Sequence, residues 1–230
     1  MQTPVTRIEL GEQQVSVRAG DNTYTSDFVL LAVPPSTWDK MVVVPEIPAD
    51  KKTYMAPLIK YLSSVNDRFW VKKGLAPNAV TDNLMTWEGT DNQMETGHQQ
   101  VELTTFAGAD AARAAMEAPD TDSYFNRRLG EIYPDYVEHV QKRRFMNWPN
   151  APWTMGGYSC PKPGQVCEIG LFLSQAFHQR MFFAGEHTCP AFSGFMEGAL
   201  ESGIIAARRI GTEMGILDGN TRPEAIFLRT

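Results

Sequence analysis

The sequence predicts a globular chain of mixed class, α+β or α/β. Strand-like apolar runs and helix-like stretches both occur along it, and 43% of its 230 residues are hydrophobic while 21% are charged. That composition is typical of a chain that packs a core. The strand-like runs are 58–65, 101–106 and 140–145, and the helix-like stretches are 109–117 and 123–132, the second stopped by Pro134.

The amino-terminal region predicts a three-stranded β-meander. Gln13–Arg18 and Tyr24–Val33 have the residue types of strands. The run Gly20-Asp21-Asn22 between them is a turn signal. The chain opens directly at a meander strand, which contains Pro4–Ile8.

The most informative segment is 182–188, where Phe-Phe-Ala-Gly-Glu-His-Thr forms an apolar run that ends in an acid. Such a run predicts a buried strand that delivers the carboxylate of Glu186 to the sheet edge where open α/β sheets hold ligands. After a short loop, the spacing predicts a helix over 194–210. Small residues recur every four positions along this helix, so a backbone or a flat ligand could approach it closely. They are Gly194, Gly198, Ser202 and Ala206.

Together, FFAGEHT and SGFMEGALESG resemble the carboxyl-terminal flavin motif of the flavin-containing amine oxidases, a family that includes monoamine, polyamine and L-amino-acid oxidases. The resemblance implies FAD, with Glu186 bonded to the ribityl chain and residues 194–196 facing flavin N1 and O2. A helix amino terminus would stabilise the negative charge of reduced flavin near N1. The residues implied to bind FAD are Val5, Trp148, Trp153, Gly185, Glu186, Gly194 and Met196.

The resemblance also implies three residues that face the chemistry. Ile59-Lys60, followed by Asp67-Arg68-Phe69-Trp70, resembles the segment whose lysine holds a water against flavin N5. Spacing alone would make Lys60 a solvated strand residue. Tyr158 and Phe195 match the two walls of the aromatic cage, whose ring faces can guide an amine to the flavin.

Two departures from the family pattern bear on the cofactor and the cage. Gly157 stands where monoamine oxidases of animal type place a cysteine that bonds covalently to the flavin, so we expect non-covalent FAD. Phe195 replaces a tyrosine or tryptophan, which keeps the ring but removes its polar group. We therefore expect a more apolar cage.

No Gly-x-Gly-x-x-Gly strand-turn-helix unit occurs in the sequence, although the family begins with one. We therefore interpret the chain as the carboxyl-terminal half of a two-domain FAD-binding amine oxidase fold. A partner chain would carry the missing half, and we expect a higher oligomer. Residues 1–45 are predicted to belong to the FAD domain, 46–150 to form a mixed-sheet substrate domain, 151–212 to return to the FAD domain, and 213–230 to form a tail.

Composition argues against several other classes of protein. The net charge of −6 with interspersed Lys and Arg gives no basic stripe for nucleic acid, and no apolar stretch approaches the length of a membrane span. Cys160, Cys167 and Cys189 form neither a metal-spaced set nor an even disulfide framework. The sequence leaves the compartment open, cytoplasmic or secreted and periplasmic.

The implied activity is FAD-dependent oxidation of a primary or secondary amine to an imine, with oxygen reduced to hydrogen peroxide. Two alternatives stay open. An L-amino-acid oxidase needs an arginine for the substrate carboxylate, and the resemblance assigns that residue to the other half. A non-catalytic scaffold subunit would keep the fold, but it would have no chemical need for Lys60, Tyr158, Phe195 and Glu186 together.

Overall fold

The computed structural model of the protein describes residues 2–89 and 101–217. The chain divides into two compact units. One comprises the residues through Met55 together with those from Tyr158 onward, and the other is Ala56–Gly157. The second unit therefore begins later and ends later than the predicted substrate domain 46–150. Residues 218–230, most of the predicted tail, lie outside the described residues.

The first unit contains two small sheets. The strands of the larger sheet are β1 (Val5–Leu10), β2 (Val15–Ala19), β3 (Asn22–Ser26) and β5 (Val42–Val44). They lie in the order β3-β2-β1-β5, with the first three antiparallel as predicted for a meander and β5 parallel to β1. The smaller sheet pairs β4 (Val29–Leu31) with β11 (Met181–Phe183) in parallel.

One predicted strand, Tyr24–Val33, is two strands in the structure. The chain leaves the meander after Ser26, whose hydroxyl donates a 2.8 Å hydrogen bond to the carbonyl of Phe28. This local turn redirects the backbone, and β4 then joins β11 instead of β2. Local sequence pattern does not reveal such a change of partner because both halves have strand residues.

The second unit is built on a five-stranded sheet. Its order is β10-β6-β9-β8-β7, with every neighbouring pair antiparallel. The strands are β6 (Leu58–Val65), β7 (Ala79–Val80), β8 (Met85–Gly89), β9 (Val101–Gly108) and β10 (Val140–Asn147). The helices are α1 (Phe69–Lys72), α2 (Ala109–Glu117), α3 (Thr121–Ile132) and α4 (Tyr136–His139). All five elements predicted in this region are present, and α3 ends before Pro134.

Aromatic side chains fill the core of the second unit. The Tyr61 ring stacks on Phe125 with centroids 4.1 Å apart, and its hydroxyl donates to Asp122 at 2.6 Å. Tyr133 and Tyr136 are also buried, with hydroxyls 2.7 Å from those of Thr86 and Ser63. Burial raises the pKa of all three phenols. Each of these three phenol hydroxyls thus has a hydrogen-bond partner, as buried polar groups usually do.

The first unit adds two longer helices, α5 (Gln165–Leu173) and α6 (Met196–Glu213). The sequence predicts that the latter helix starts at Gly194. Instead, Gly194 has φ +84° and Phe195 is extended, so the first helical residue is Met196. A positive φ is a conformation that glycine adopts without steric cost and that ends helical geometry.

The predicted small-residue stripe is the buried face of α6. Ser202 and Ala206 are buried on it. A Cβ added at Gly198 would lie 2.3 Å from the carbonyl oxygen of Phe192, so the preceding loop packs directly on the helix backbone. On another face of the same helix, a Cβ at Gly203 would meet nothing within 4 Å.

These two glycines give a matched pair of substitutions. Gly198→Ala should lower the free energy of unfolding by about 1–3 kcal/mol because the methyl group must displace backbone. Gly203→Ala should raise it by about 0.5–1 kcal/mol through helix propensity alone. Urea denaturation of both variants measures the difference. Equal stabilities would show that the loop does not pack on α6 as described.

Candidate cofactor-binding site

Two residues after the buried strand β11 ends comes a glycine that has no room for a side chain. Gly185 has φ +132°, and a Cβ there would lie 2.5 Å from Cε1 of His187. Its N–H donates to Oγ of Ser202 at 2.8 Å, and that hydroxyl in turn donates to the carbonyl of Ala199. The strand end is therefore tied to the stripe of α6.

Glu186, the next residue, joins three segments. Its carboxylate accepts hydrogen bonds from the N–H of Ser159 at 2.8 Å, from the hydroxyl of Ser159 at 2.6 Å, and from the N–H of Gly194 at 2.6 Å. Ser159 and Ser193 are linked by their hydroxyls at 2.8 Å. A carboxylate offers about four acceptor positions, so about one stays available for a ligand hydroxyl.

The start of α6 presents unpaired backbone donors. Phe195 occupies the N-cap position without a side-chain hydrogen bond, and the first helical bond runs from the N–H of Ala199 to the carbonyl of Phe195. The N–H groups at Met196, Glu197 and Gly198 precede that bond and have no partner within the helix. Such donors, aligned with the helix dipole, favour an electron-rich group.

Apolar side chains surround this helix start. Phe195 is 67% exposed and Met196 is 91% exposed. Tyr158 lies against the backbone of Gly194, where an added Cβ would be 3.4 Å from the Tyr158 ring. The structure thus brings Tyr158, Glu186 and the 194–196 segment together within one unit.

His187 is buried beside the motif. Its ring lies edge-on to Trp38 at 6.1 Å, and its Nε2 atom has no hydrogen-bond partner among the described residues. Burial lowers the pKa of His187 to about 4, against a smaller opposing effect of the Glu186 carboxylate. The imidazole is therefore neutral at physiological pH.

Other predicted site residues lie elsewhere in the fold. Val5 begins β1 and pairs with Ala19. Lys60, Trp148 and Trp153 belong to the second unit, with Lys60 exposed on β6 and Trp153 62% exposed in the turn after β10. The predicted site residues are therefore divided between the two units.

Gly157, which the sequence resemblance aligns with the flavin-bonded cysteine of monoamine oxidases of animal type, packs against Leu58. A Cβ at Gly157 would lie 2.3 Å from Cδ1 and 2.4 Å from Cβ of Leu58. A side chain at this position would require Leu58 to move.

Among the described residues, Cys160 and Cys167 are exposed free thiols, whereas Cys189 is buried with Sγ 3.1 Å from Oε2 of Glu201.

Sequence reasoning missed three residues that support the site. Ser159 and Ser193 orient Glu186, and only their positions beside Tyr158 and Gly194 could have drawn attention to them. Trp87 lies under the ammonium group of Lys60, 5.7 Å from Nζ to the ring centroid. No local signal identifies Trp87, because the contact depends on sheet pairing.

Across residues 2–89 and 101–217, no three His, Cys, Asp or Glu side chains cluster so that they could hold a metal ion. In the same ranges, no helix is long and apolar enough to cross a membrane. The polar groups around Glu186 are hydroxyls and backbone amides.

Several curated proteins resemble the chain. A flavin-containing amine oxidase from Oncorhynchus mykiss is 27% identical over 98% of this chain and 46% of its own length. Flavin-containing amine oxidase A from Bos taurus is 25% identical over 94% and 43%. An L-amino acid dehydrogenase from Synechocystis is 25% identical over 90% and 45%. The chain spans less than half the length of these relatives.

Solved structures resemble the fold. Cyclohexylamine oxidase from Brevibacterium oxydans superposes with a TM-score of 0.81 at 22% identity, covering 94% of this chain and 49% of that one. A putrescine oxidase variant gives a TM-score of 0.81 at 19% identity, with 92% and 48% covered. These likenesses confirm the predicted mixed fold as one portion of a two-domain amine oxidase fold. The sequence profile of the flavin containing amine oxidoreductases matches residues 1–211, so the chain belongs to that family.

Proposed function

We propose that the protein carrying this chain oxidises a primary or secondary amine to an imine with FAD and passes the electrons to oxygen, forming hydrogen peroxide. The observation that carries the proposal is the carboxylate of Glu186, held between a strand end and the start of α6 with an acceptor position to spare. The relatives from Oncorhynchus mykiss and Bos taurus, both named amine oxidases, support this class of reaction.

The residues present fit a bound, non-covalent FAD. Glu186 would accept a hydrogen bond from a ribityl hydroxyl, and the free N–H groups that begin α6 would face the electron-rich edge of the isoalloxazine ring. Gly185 and Gly194 have no side chain that would keep the cofactor away from the backbone at these two positions. The close packing of Gly157 on Leu58 supports attachment without a covalent bond at that position.

Bound FAD would supply the two-electron oxidation of the C–N bond, and the protein's own residues would orient the substrate and tune the charge. Tyr158 and Phe195 would present ring faces that steer the amine nitrogen. Lys60 would place a positive charge where negative charge develops during the reaction and hold a water by hydrogen bonding. Trp148 and Trp153 are the remaining residues proposed to contact the cofactor.

Oxidation of an L-amino acid is the second candidate function. It is favoured by the similarity to the Synechocystis L-amino acid dehydrogenase, which covers 90% of this chain. That reaction requires a cation for the substrate carboxylate, most effectively a bidentate arginine. In this second proposal the arginine comes from the half of the fold that lies outside this chain.

We further propose that a strand outside this chain completes the β4–β11 sheet. Parallel sheets are buried and built from several strands, whereas this one has two. The N–H of Val29 donates to the carbonyl of Arg180, and the carbonyl of Leu31 accepts from the N–H of Ala184, so these groups face β11. The backbone groups of Leu30 therefore point to the opposite edge, where no described strand pairs with them. The strand would come from the half that carries the Gly-x-Gly-x-x-Gly unit.

Substrate screening of the full-length protein tests the function. Peroxide release and anaerobic bleaching of the flavin should occur with monoamines or polyamines. Faster reaction with L-amino acids would establish the second candidate instead. Failure of every amine and amino acid to reduce the flavin would favour a non-catalytic scaffold.

Replacing Glu186 tests the cofactor contact. Glu186→Gln keeps one oxygen acceptor but turns the other position into a donor that opposes its present partners, so FAD affinity should fall about tenfold or more. Glu197→Gln, in the first turn of α6, is the matched control and should bind FAD nearly normally. Flavin released by acid precipitation measures occupancy. Equal occupancy in both variants, or flavin that precipitates with the protein, would contradict the proposed mode of binding.

Hydrogen exchange at Leu30 tests completion of the sheet. The side chain is 39% exposed in this structure, and its N–H has no strand partner among the described residues. In the full-length protein this amide should nevertheless be strongly protected, like those of Val29 and Ala184, whose N–H groups already donate within the two-stranded sheet. Rapid exchange at Leu30 alone would show that the edge is open and would refute the pairing.

A further inference from the structure

Lys60 lies on the face of the second unit's sheet opposite the core residues Ile59 and Tyr61. Its cross-strand neighbours are Met146 on β10 and Phe106 on β9. No ion pair to Lys60 occurs within residues 2–89 and 101–217. The lysine is exposed, and a four-carbon stem without a charged partner is free to sample many rotamers.

Trp87 supplies the contact that an acid would otherwise provide. It is half-buried on β8, two strands away from Lys60, and its indole reaches beneath the ammonium group at 5.7 Å from Nζ to the ring centroid. Phe106, on the strand between them, lies 6.5 Å from the indole. The negative face of an indole attracts a cation and is the strongest aromatic partner for one.

Glu88, the acid on β8, pairs with Arg68. Glu88 follows Trp87 directly, so its side chain leaves the opposite face of the strand. There its carboxylate accepts hydrogen bonds from the guanidinium group of Arg68, with Nε to Oε1 at 2.8 Å. The ammonium group of Lys60 therefore lies against an aromatic surface and pairs with no carboxylate in the part of the chain that the structure describes.

We propose that Trp87 is the positioning residue for Lys60, holding the ammonium group by a cation–π contact where it serves the flavin. This inference rests on the proposed function of Lys60. A carboxylate at this site would cancel much of the lysine's charge, whereas an indole restricts the stem and leaves the charge in place. Desolvation would strengthen the contact once substrate and cofactor exclude water.

Four variants of the full-length enzyme separate positioning from packing. Trp87→Leu removes the aromatic face, Trp87→Phe retains a ring, and Met85→Leu is the control on the same face of β8, 42% exposed. Lys60→Met defines the half-reaction, flavin reduction or reoxidation, in which the lysine acts. Trp87→Leu should slow that same half-reaction by about two- to fivefold. Trp87→Phe should recover most of the rate.

Lysine NMR gives a readout that does not depend on turnover. The ε-methylene protons of Lys60, assigned by their loss in Lys60→Met, should be shifted upfield by the indole ring current in the wild-type protein. They should return to the position of an exposed lysine in Trp87→Leu and keep their shift in Met85→Leu. Adding Trp87→Leu to Lys60→Met should cause no further loss of rate, because Trp87 acts through the lysine.

The outcomes distinguish the positioning role of Trp87 from the proposed function on which it rests. If Lys60→Met is slow but Trp87→Leu matches Met85→Leu, or if the lysine protons show no ring-current shift, the positioning role alone is refuted. If Lys60→Met leaves both half-reactions unchanged, the proposed role of Lys60 fails and the inference fails with it. A wild-type enzyme that no amine or amino acid reduces would refute the proposed function itself.

Discussion

The candidate site depends on one carboxylate. Glu186 accepts three hydrogen bonds from two segments, one 27 residues before it and one 8 residues after it. Hydrogen bonds to an ionised carboxylate are short and strong. The bond from Gly194 fixes the backbone just before α6, where a positive φ is required. Glu186 thereby sets where the helix begins, how Phe195 is presented, and where Tyr158, next to Ser159, comes to lie.

This arrangement gives the motif a structural role beside its proposed chemical role. A cofactor hydroxyl would add a fourth donor to a carboxylate that is already oriented, so little reorganisation should accompany binding. The 2.8 Å hydrogen bond between Gly185 and Ser202 also limits reorganisation, because it fixes the segment after β11 on α6. Ser159 and Ser202, which are not among the proposed FAD contacts, thus help to hold two residues that are, Glu186 and Gly185.

Elements governed by local pattern could be predicted from the sequence. The strand at Leu58–Val65 and the helix at Ala109–Glu117 have the predicted bounds, because hydrophobic period, strand propensity and flanking residues agree there. The prediction was wrong where a local signal competed with a longer pattern. At Gly194 the spacing continued a helical stripe that the backbone conformation interrupts, and after Ser26 a turn divided one strand-like run into two.

Contacts set by pairing could not be predicted in the same way. Ser159 meets Glu186, and Trp87 meets Lys60, only because non-local segments adopt one particular register. A shift of one residue in β8 would turn Trp87 to the other face of the sheet. The close approach of Gly157 to Leu58 could not be predicted from the sequence either, because a glycine there indicates only a turn.

The two units differ in the sheets they contain. The unit Ala56–Gly157 has a five-stranded sheet and buried tyrosines whose hydroxyls are all partnered. The unit that holds Glu186 has a parallel sheet of two strands. The main proposed contacts to FAD therefore belong to the unit whose sheet most needs another strand. A ligand stabilises the state that binds it, so FAD binding and completion of this sheet should reinforce each other. Weakening either one should weaken the other, whether the missing strand belongs to the same polypeptide or to a separate subunit.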